Sequence, residues 1–117
     1  MNVLTIVIRS SPYQYYLTEV QDLILAQSAF FDHLNVIFIE DGLLQLIKEK
    51  KVSNITHKDF SKAYETFSLY DIDSIYVQQQ ALKTFNLEAR DLLINTNVIT
   101  NQDIKNLLAD SNFILNF

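Results

Sequence analysis

Apolar and polar positions along the chain follow two periods, which predict strands and helices in alternation. Residues 36–39 form an unbroken apolar run, typical of a strand that is covered on both faces of a parallel sheet. The run breaks at Glu40 and Asp41, and apolar positions resume beyond Gly42 at helical spacing. Glycine permits a tight turn and close packing of a strand against a helix. This stretch therefore predicts a strand that leads directly into a helix.

The other elements repeat this alternation, which is typical of βαβ units. Capping boxes at Thr56 with Asp59 and at Thr100 with Asp103 predict two helix starts. A further helix is expected to begin at residues 78–82. The helical apolar stripes are Leu17, Val20 and Ile24; Leu43, Leu46 and Ile47; Phe60, Ala63, Tyr64 and Phe67; and Ile104, Leu107 and Leu108. The predicted strands are residues 3–8, 36–39, 74–77, 92–95 and 113–115.

Length and composition predict one α/β domain over residues 1–117. The chain has 117 residues, 49% of them apolar, with one glycine and one proline, which is enough apolar material for a core. It has no apolar run of the roughly 18 to 20 residues that cross a bilayer, and its first residues do not form a signal region. We therefore expect a cytoplasmic protein without membrane contact.

The chain contains no cysteine. Disulfides, thiolate metal sites, cysteine nucleophiles and persulfide carriage on this chain are therefore excluded. The net charge of -5 argues against direct binding of nucleic acid, which needs a basic face. The cluster of Lys48, Lys50 and Lys51 is more typical of a solvated helix end. His33 and His57 are too far apart in sequence to predict a local metal site, so neither a metal nor a cofactor is expected.

Polar residues follow the first two predicted strands. Glu40 and Asp41 are candidates for a metal-binding or acid-base pair, although carboxylates in this position more often cap the next helix. Arg9, Ser10 and Ser11 precede a helix and are candidates for an anion site built from hydroxyls and backbone amides. They lack the glycines that let a backbone wrap a phosphate.

The chain has more aromatic and aliphatic side chains than one core face can hold. Tyr13, Tyr15 and Tyr16 lie near the start of the first predicted helix, and Phe30 and Phe31 near its end. Neighbours on a helix point about 100° apart, so some of these rings must lie outside. They either cover the edge of the sheet or form an interface, where such side chains are enriched. The candidate interface residues are Tyr13, Tyr16, Phe30, Phe31 and Leu44.

Three segments and their spacing carry a family resemblance. They read FIEDGLLQLI at residues 38–47, LYDID at residues 69–73 and DSNFILNF at residues 110–117. With the early strand and its long helix, they make the chain similar to the DsrE/DsrF/DsrH sulfur-relay family, and within it to TusC-type (DsrF-like) subunits. The resemblance covers almost the whole chain.

The resemblance implies a three-layer α/β/α domain with a five-stranded parallel sheet, a DsrEFH-like variant of the flavodoxin-like fold. It implies a heterohexamer with TusB-like and TusD-like subunits, which passes sulfur from a TusA-like to a TusE-like protein for 2-thiolation of the tRNA wobble uridine. In that family the carrier cysteine of TusD-type subunits lies near the end of the third strand. The matching residues here are Tyr76, Val77 and Gln78, and none of them can hold sulfane sulfur.

Two other functions remain open from the sequence. One is a small flavodoxin-like enzyme that uses Ser10, Ser11, Glu40 and Asp41 on a phosphorylated ligand. The other is a stand-alone homo-oligomeric binding domain. The absent thiol, the lack of a glycine-rich phosphate loop and the surplus of apolar side chains favour a non-catalytic subunit of a sulfurtransferase complex.

Overall fold

The computed structural model describes residues 2–11, 17–47 and 64–117. Within these residues, five parallel strands form one sheet in the order β4-β3-β2-β1-β5. The strands are β1 (Val3–Ile8), β2 (His33–Phe38), β3 (Ser74–Gln78), β4 (Asn97–Ile99) and β5 (Phe113–Asn116). The helices are α1 (Leu17–Gln27), α2 (Gln79–Thr84) and α3 (Asn101–Ala109), with 3₁₀-helices η1 (Glu40–Leu46), η2 (Phe67–Tyr70) and η3 (Ala89–Asp91). The predicted α/β class and parallel five-stranded sheet are confirmed.

Each face of the sheet carries its own apolar cluster, because successive strand residues point to opposite faces. The first face is covered by α1, η1, η2 and α2, with edge-to-face contacts of Tyr64 with Phe38 and Phe67 near its centre. On the second face, Val7 and Ile37 pack beneath the predicted stripe of α3. Helices on both faces give the three layers that the resemblance implied.

Gly42 lies at the start of η1, directly against strand β1. A β-carbon at this position would overlap the main-chain carbonyl group of Ile8. The same carbonyl accepts a hydrogen bond from the amide of Ile39 at 3.0 Å, and the Gly42 amide donates to the Ile39 carbonyl at 2.8 Å. The predicted close packing at Gly42 is confirmed, since any larger residue requires the backbone to move.

The predicted capping box at Thr100 and Asp103 is confirmed at the start of α3. The Asp103 amide donates to Thr100 Oγ1 at 3.2 Å, and the Thr100 amide donates to Asp103 Oδ2 at 3.0 Å. The capping box at Thr56 and Asp59, the lysine cluster and His57 lie outside the described residues.

The strand predicted at residues 92–95 is wrong, because β4 is Asn97–Ile99. The apolar side chain of Leu92 is buried in the first-face core. Leu92 forms an isolated antiparallel bridge with Ile47, and the Leu93 amide donates to the Leu46 carbonyl at 2.7 Å. The apolar run at residues 92–95 thus packs into the core and bonds to the segment of η1. The edge strand β4 is formed instead by a short, mostly exposed segment.

The second strand begins at His33, earlier than predicted, and α1 ends at Gln27, before the two phenylalanines. His33 and Asn35 interrupt the apolar pattern, but their polar groups are bonded across the second face. Asn35 Oδ1 contacts His33 Nε2 at 2.9 Å, and Asn35 Nδ2 donates to Thr5 Oγ1 at 3.2 Å. Ser74 Oγ lies 3.1 Å from His33 Nε2. Because these polar groups satisfy one another, the strand extends through them.

Candidate functional site

The segments that follow the neighbouring strands β3 and β4 pack on opposite faces of the sheet. The described segments that follow β1, β2 and β3 pack on the first face, whereas α3, which follows β4, packs on the second face. In open parallel sheets, ligands bind in the crevice at the carboxyl ends of the strands where the connections diverge. The candidate site is therefore the carboxyl end of β3, which is also the position that the family resemblance singled out.

Gln78 occupies this crevice with its own side chain. Gln78 Oε1 accepts a hydrogen bond from the Glu40 amide at 3.1 Å, and Gln78 Nε2 donates to Asn101 Oδ1 at 2.9 Å. The side chain therefore links the start of η1 to the start of α3. Of the other two residues that match the carrier position, Val77 is buried in the first-face core and Tyr76 packs against the second-face cluster.

Glu40 and Asp41 lie at the start of η1 with exposed side chains. The N-cap residue of η1 is Ile39, whose side chain makes no capping hydrogen bond, and Glu40 and Asp41 lie in the first turn of η1. Glu40 has a φ of 50°, a left-handed conformation that is uncommon for a residue other than glycine. Its amide is the one held by Gln78, which helps to keep this backbone in place. Both acidic residues border an open cavity of about 420 Å³ that Gln78 and Phe85 also line.

The loop after β1 uses its polar groups within the protein. The amides of Arg9 and Ser10 donate to the main-chain oxygen of Phe117 at 2.9 and 3.1 Å. Ser10 Oγ donates to the same oxygen at 2.9 Å, and the Ser10 carbonyl accepts from Gln45 Nε2 at 2.7 Å. An anion site at this loop would need these amides, and they already have a partner.

A buried polar cluster lies beneath that loop. Tyr64 Oη donates to Gln45 Oε1, and both residues are fully buried. Burial raises the pKa of Tyr64 above its ordinary value of 10.0, while a hydrogen bond with Gln21 acts in the opposite direction. The phenol thus stays protonated and neutral, and the cluster fixes the β1 loop rather than offering a titrating group.

Within the described ranges, no group of three or more His, Cys, Asp or Glu residues is placed to hold a metal ion. Across the same residues, no helix has the length and apolar character needed to cross a membrane.

Of the candidate interface residues that the structure describes, Phe30 and Phe31 lie at one end of β2 and Leu44 lies beyond the other. Phe30 is 74% exposed, and Phe31 is half-buried with its ring edge-to-face against Phe113 at 5.7 Å. Both lie in the loop before β2, not on a helix. Leu44 is half-buried on η1, which begins beyond the other end of β2. Tyr13 and Tyr16 lie outside the described residues.

Within the described ranges, five exposed apolar residues were not identified from the sequence as interface candidates. They are Leu69, Tyr70, Val98, Phe113 and Ile114, with exposed fractions of 80%, 53%, 42%, 55% and 48%. Phe113 is the first residue of β5, which lies at the edge of the sheet and has one neighbouring strand instead of two; this position depends on the strand order and gave no local signal in the sequence. Leu69 lies two residues beyond Phe67 and so off the predicted helical stripe, whereas Tyr70 lies three residues beyond Phe67, at a spacing that would continue the stripe.

Comparisons with known proteins give one family match and several relatives that are similar over most or all of the chain. The model of the DsrE/DsrF-like family matches residues 2–117. The TusC homolog of Vibrio vulnificus strain YJ016 is 36% identical, and that of Aliivibrio fischeri is 34% identical, each over the full length of both chains. The TusC protein of Buchnera aphidicola from Baizongia pistaciae is 29% identical over 82% of each chain.

A solved structure supports the fold independently of close sequence similarity. The crystal structure of the YchN protein from E. coli superposes with a TM-score of 0.80 over the whole of both chains, at 15% identity. From the family match and the full-length relatives, the chain belongs to the DsrE/DsrF-like family and is similar along its whole length to TusC homologs.

Proposed function

We propose that this chain is a non-catalytic subunit of a TusBCD-type sulfurtransferase complex. In this proposal it assembles with TusB-like and TusD-like subunits into a cytoplasmic heterohexamer. The complex passes sulfur from a TusA-like to a TusE-like protein, in the relay for 2-thiolation of the tRNA wobble uridine. The carrier cysteine belongs to a partner, and the chain itself does not bind the nucleic acid.

The observation that carries the proposal is Gln78 at the end of β3. Gln78 is one of the three residues, with Tyr76 and Val77, that match the region in which the family resemblance places the carrier cysteine of TusD-type subunits. A carboxamide is not a nucleophile for sulfane sulfur, and both ends of this one are hydrogen-bonded to neighbouring elements. In a chain without cysteine, these contacts favour a structural role over transfer on this subunit. Full-length similarity to TusC homologs supports the same role.

The alternative of a site for a phosphorylated ligand has less support. Such a site would draw on the amides and hydroxyls of the β1 loop. The Arg9 and Ser10 amides donate to Phe117 instead, and the carboxylates of Glu40 and Asp41, which this alternative includes in the site, would repel a phosphate.

The experiment that tests the proposal is native mass spectrometry of the chain, expressed alone and together with the TusB-like and TusD-like proteins of its own genome. We expect a mixed hexamer in which, after incubation with a persulfide donor, only the TusD-like subunit gains sulfur. The matched control is the same assembly with the TusD-like cysteine changed to serine, which should assemble but gain no sulfur. A chain that ignores both partners would contradict the proposal.

A further inference from the structure

The loops at the amino ends of three strands each bring exposed aromatic or aliphatic surface to the same end of the sheet. Phe30 and Phe31 precede β2, Leu69 and Tyr70 precede β3, and Phe113 begins β5. Because all strands are parallel, their amino ends share one edge of the domain. The surface formed by Phe30, Phe31, Tyr70 and Phe113 with Asp32, Asp71 and Asp110 is called the amino-end surface.

Phe31, Tyr70, Phe113, Asp32 and Asp71 form a contiguous part of the amino-end surface. The rings of Phe31 and Phe113 meet edge-to-face at 5.7 Å. Phe31 and Tyr70 line one cavity of about 230 Å³, and Asp32 and Asp71 line the same cavity. Apolar surface and negative charge are thus interleaved across loops that lie far apart in sequence.

The charge of this surface has one sign. Residues 27–34, 68–76 and 109–117 contain Asp32, Asp71, Asp73 and Asp110 but no lysine or arginine, and all four aspartates are exposed. Asp110 is the C-cap residue of α3, a position where the helix dipole disfavours an anion. Its charge opposes the local stability of the helix, as is often found where a residue serves binding instead.

We infer that the amino-end surface is the docking site for a different protein subunit, whose contact face carries lysine or arginine side chains around an apolar centre. An apolar centre with a charged rim is the usual anatomy of a protein interface. A second copy of this chain would place aspartates against aspartates, and like charges across an interface disfavour pairing. A nucleic acid is disfavoured for the same electrostatic reason.

This inference rests on the proposed function, because the partner is taken to be a subunit of the same complex. The test measures binding of the full chain to the purified TusB-like and TusD-like proteins by surface plasmon resonance at low and high salt. The main variant is the triple change Asp32→Asn, Asp71→Asn and Asp110→Asn, which removes charge and keeps shape. Asparagine also tolerates the left-handed backbone of residue 71, whose φ is 61°.

We expect the triple variant to bind about tenfold more weakly at low salt, mainly through slower association, and to lose most of its salt dependence. The charge control changes Glu19→Gln, Asp22→Asn and Asp41→Asn, three exposed residues outside the surface, and should stay within about twofold of the parent. Phe30→Asp should weaken binding by tenfold or more. Val98→Asp, on the opposite edge strand and 42% exposed, is its control.

Each outcome has a separate meaning. If the parent chain forms no complex with either partner, the proposed function fails and this inference fails with it. If the parent binds and both the triple variant and Phe30→Asp bind equally well, the proposed function stands and this inference is overturned. If the chain alone forms a dimer that Phe30→Asp abolishes, the occupant is a second copy and the inference is also overturned.

Discussion

The two ends of the sheet use their polar and apolar residues in opposite ways. At the carboxyl end, Gln78 and the β1 loop are bonded to neighbouring segments of the chain. At the amino end, Phe30, Tyr70 and Phe113 face outward between exposed aspartates. At the usual reaction end of a parallel α/β fold, these polar groups make structural contacts beside an open cavity, while the opposite end carries exposed apolar surface. Under the proposed function, a fold that supports chemistry in other proteins would serve assembly in this one.

The largest expected effect is at the tightest contact of the carboxyl end. Gly42→Ala should destabilise the protein by about 3 kcal/mol or more, because the added methyl group overlaps the Ile8 carbonyl and the backbone must shift. Urea denaturation followed by circular dichroism measures the change. Asp41→Ala, at the exposed neighbouring position, should change the unfolding free energy by less than about 0.5 kcal/mol. Equal stability of Gly42→Ala and the parent would mean that this end is not tightly packed.

Two substitutions at the amino end distinguish a ring that supports the fold from a ring that is exposed to solvent. Phe31→Ala should cost about 2 kcal/mol, because it removes the packing against Phe113 and the first-face core. Phe30→Ala should cost less than about 0.5 kcal/mol, since that ring is 74% exposed. The same denaturation measurement compares the two. A large loss for Phe30→Ala would show that its ring supports the fold and is not available to a partner.

Removal of the Gln78 side chain, also at the carboxyl end, should have a smaller effect on stability. Gln78→Ala should lower stability by about 1 kcal/mol, because it leaves the Glu40 amide and Asn101 without their hydrogen bonds. Gln80→Ala, an exposed residue lining the same cavity, is the control and should be close to neutral. If both variants unfold at the same urea concentration, the Gln78 hydrogen bonds contribute nothing measurable to stability.

The smallest effect near neutral pH concerns Tyr64. Burial raises the pKa of its phenol in the folded state above the ordinary value of 10.0. Above that pH the unfolded chain loses the phenolic proton while the folded chain retains it, so the stability from this group is complete below about pH 10 and falls as pH rises further. Unfolding free energies between pH 8 and pH 11 should therefore show a steeper decline for the parent than for Tyr64→Phe. Equal slopes would contradict the assigned cause.

Much of the fold was predictable because its elements have strong local patterns. The apolar run of β1, the Gly42 turn and the Thr100 capping box each depend on neighbouring residues alone, and the structure confirms all three. The strand at residues 92–95 was wrongly predicted because an apolar run that fills a core looks like a buried strand. The strand at Asn97–Ile99 could be predicted only from its pairing with β3. The local sequence pattern does not show that pairing.

The position of the candidate site was predictable from the sequence, but the hydrogen bonds of its side chains were not. The order of elements places a crevice at the end of β3, yet the contact of Gln78 with Glu40 and Asn101 joins residues 38 and 23 positions apart. The amino-end surface was predicted only through Phe30 and Phe31. Tyr70 and Phe113 join them through the parallel order of the strands, which brings three separate loops to one edge.

The most direct test of this account is amide hydrogen exchange, measured on the chain alone and in complex with the TusB-like and TusD-like subunits. The account predicts that partners increase protection at residues 28–33, 69–73 and 110–114, and leave residues 39–42 and 78–81 as they are in the free chain. Protection gained at the carboxyl-end segments, with the amino-end loops unchanged, would contradict the assignment of the two ends.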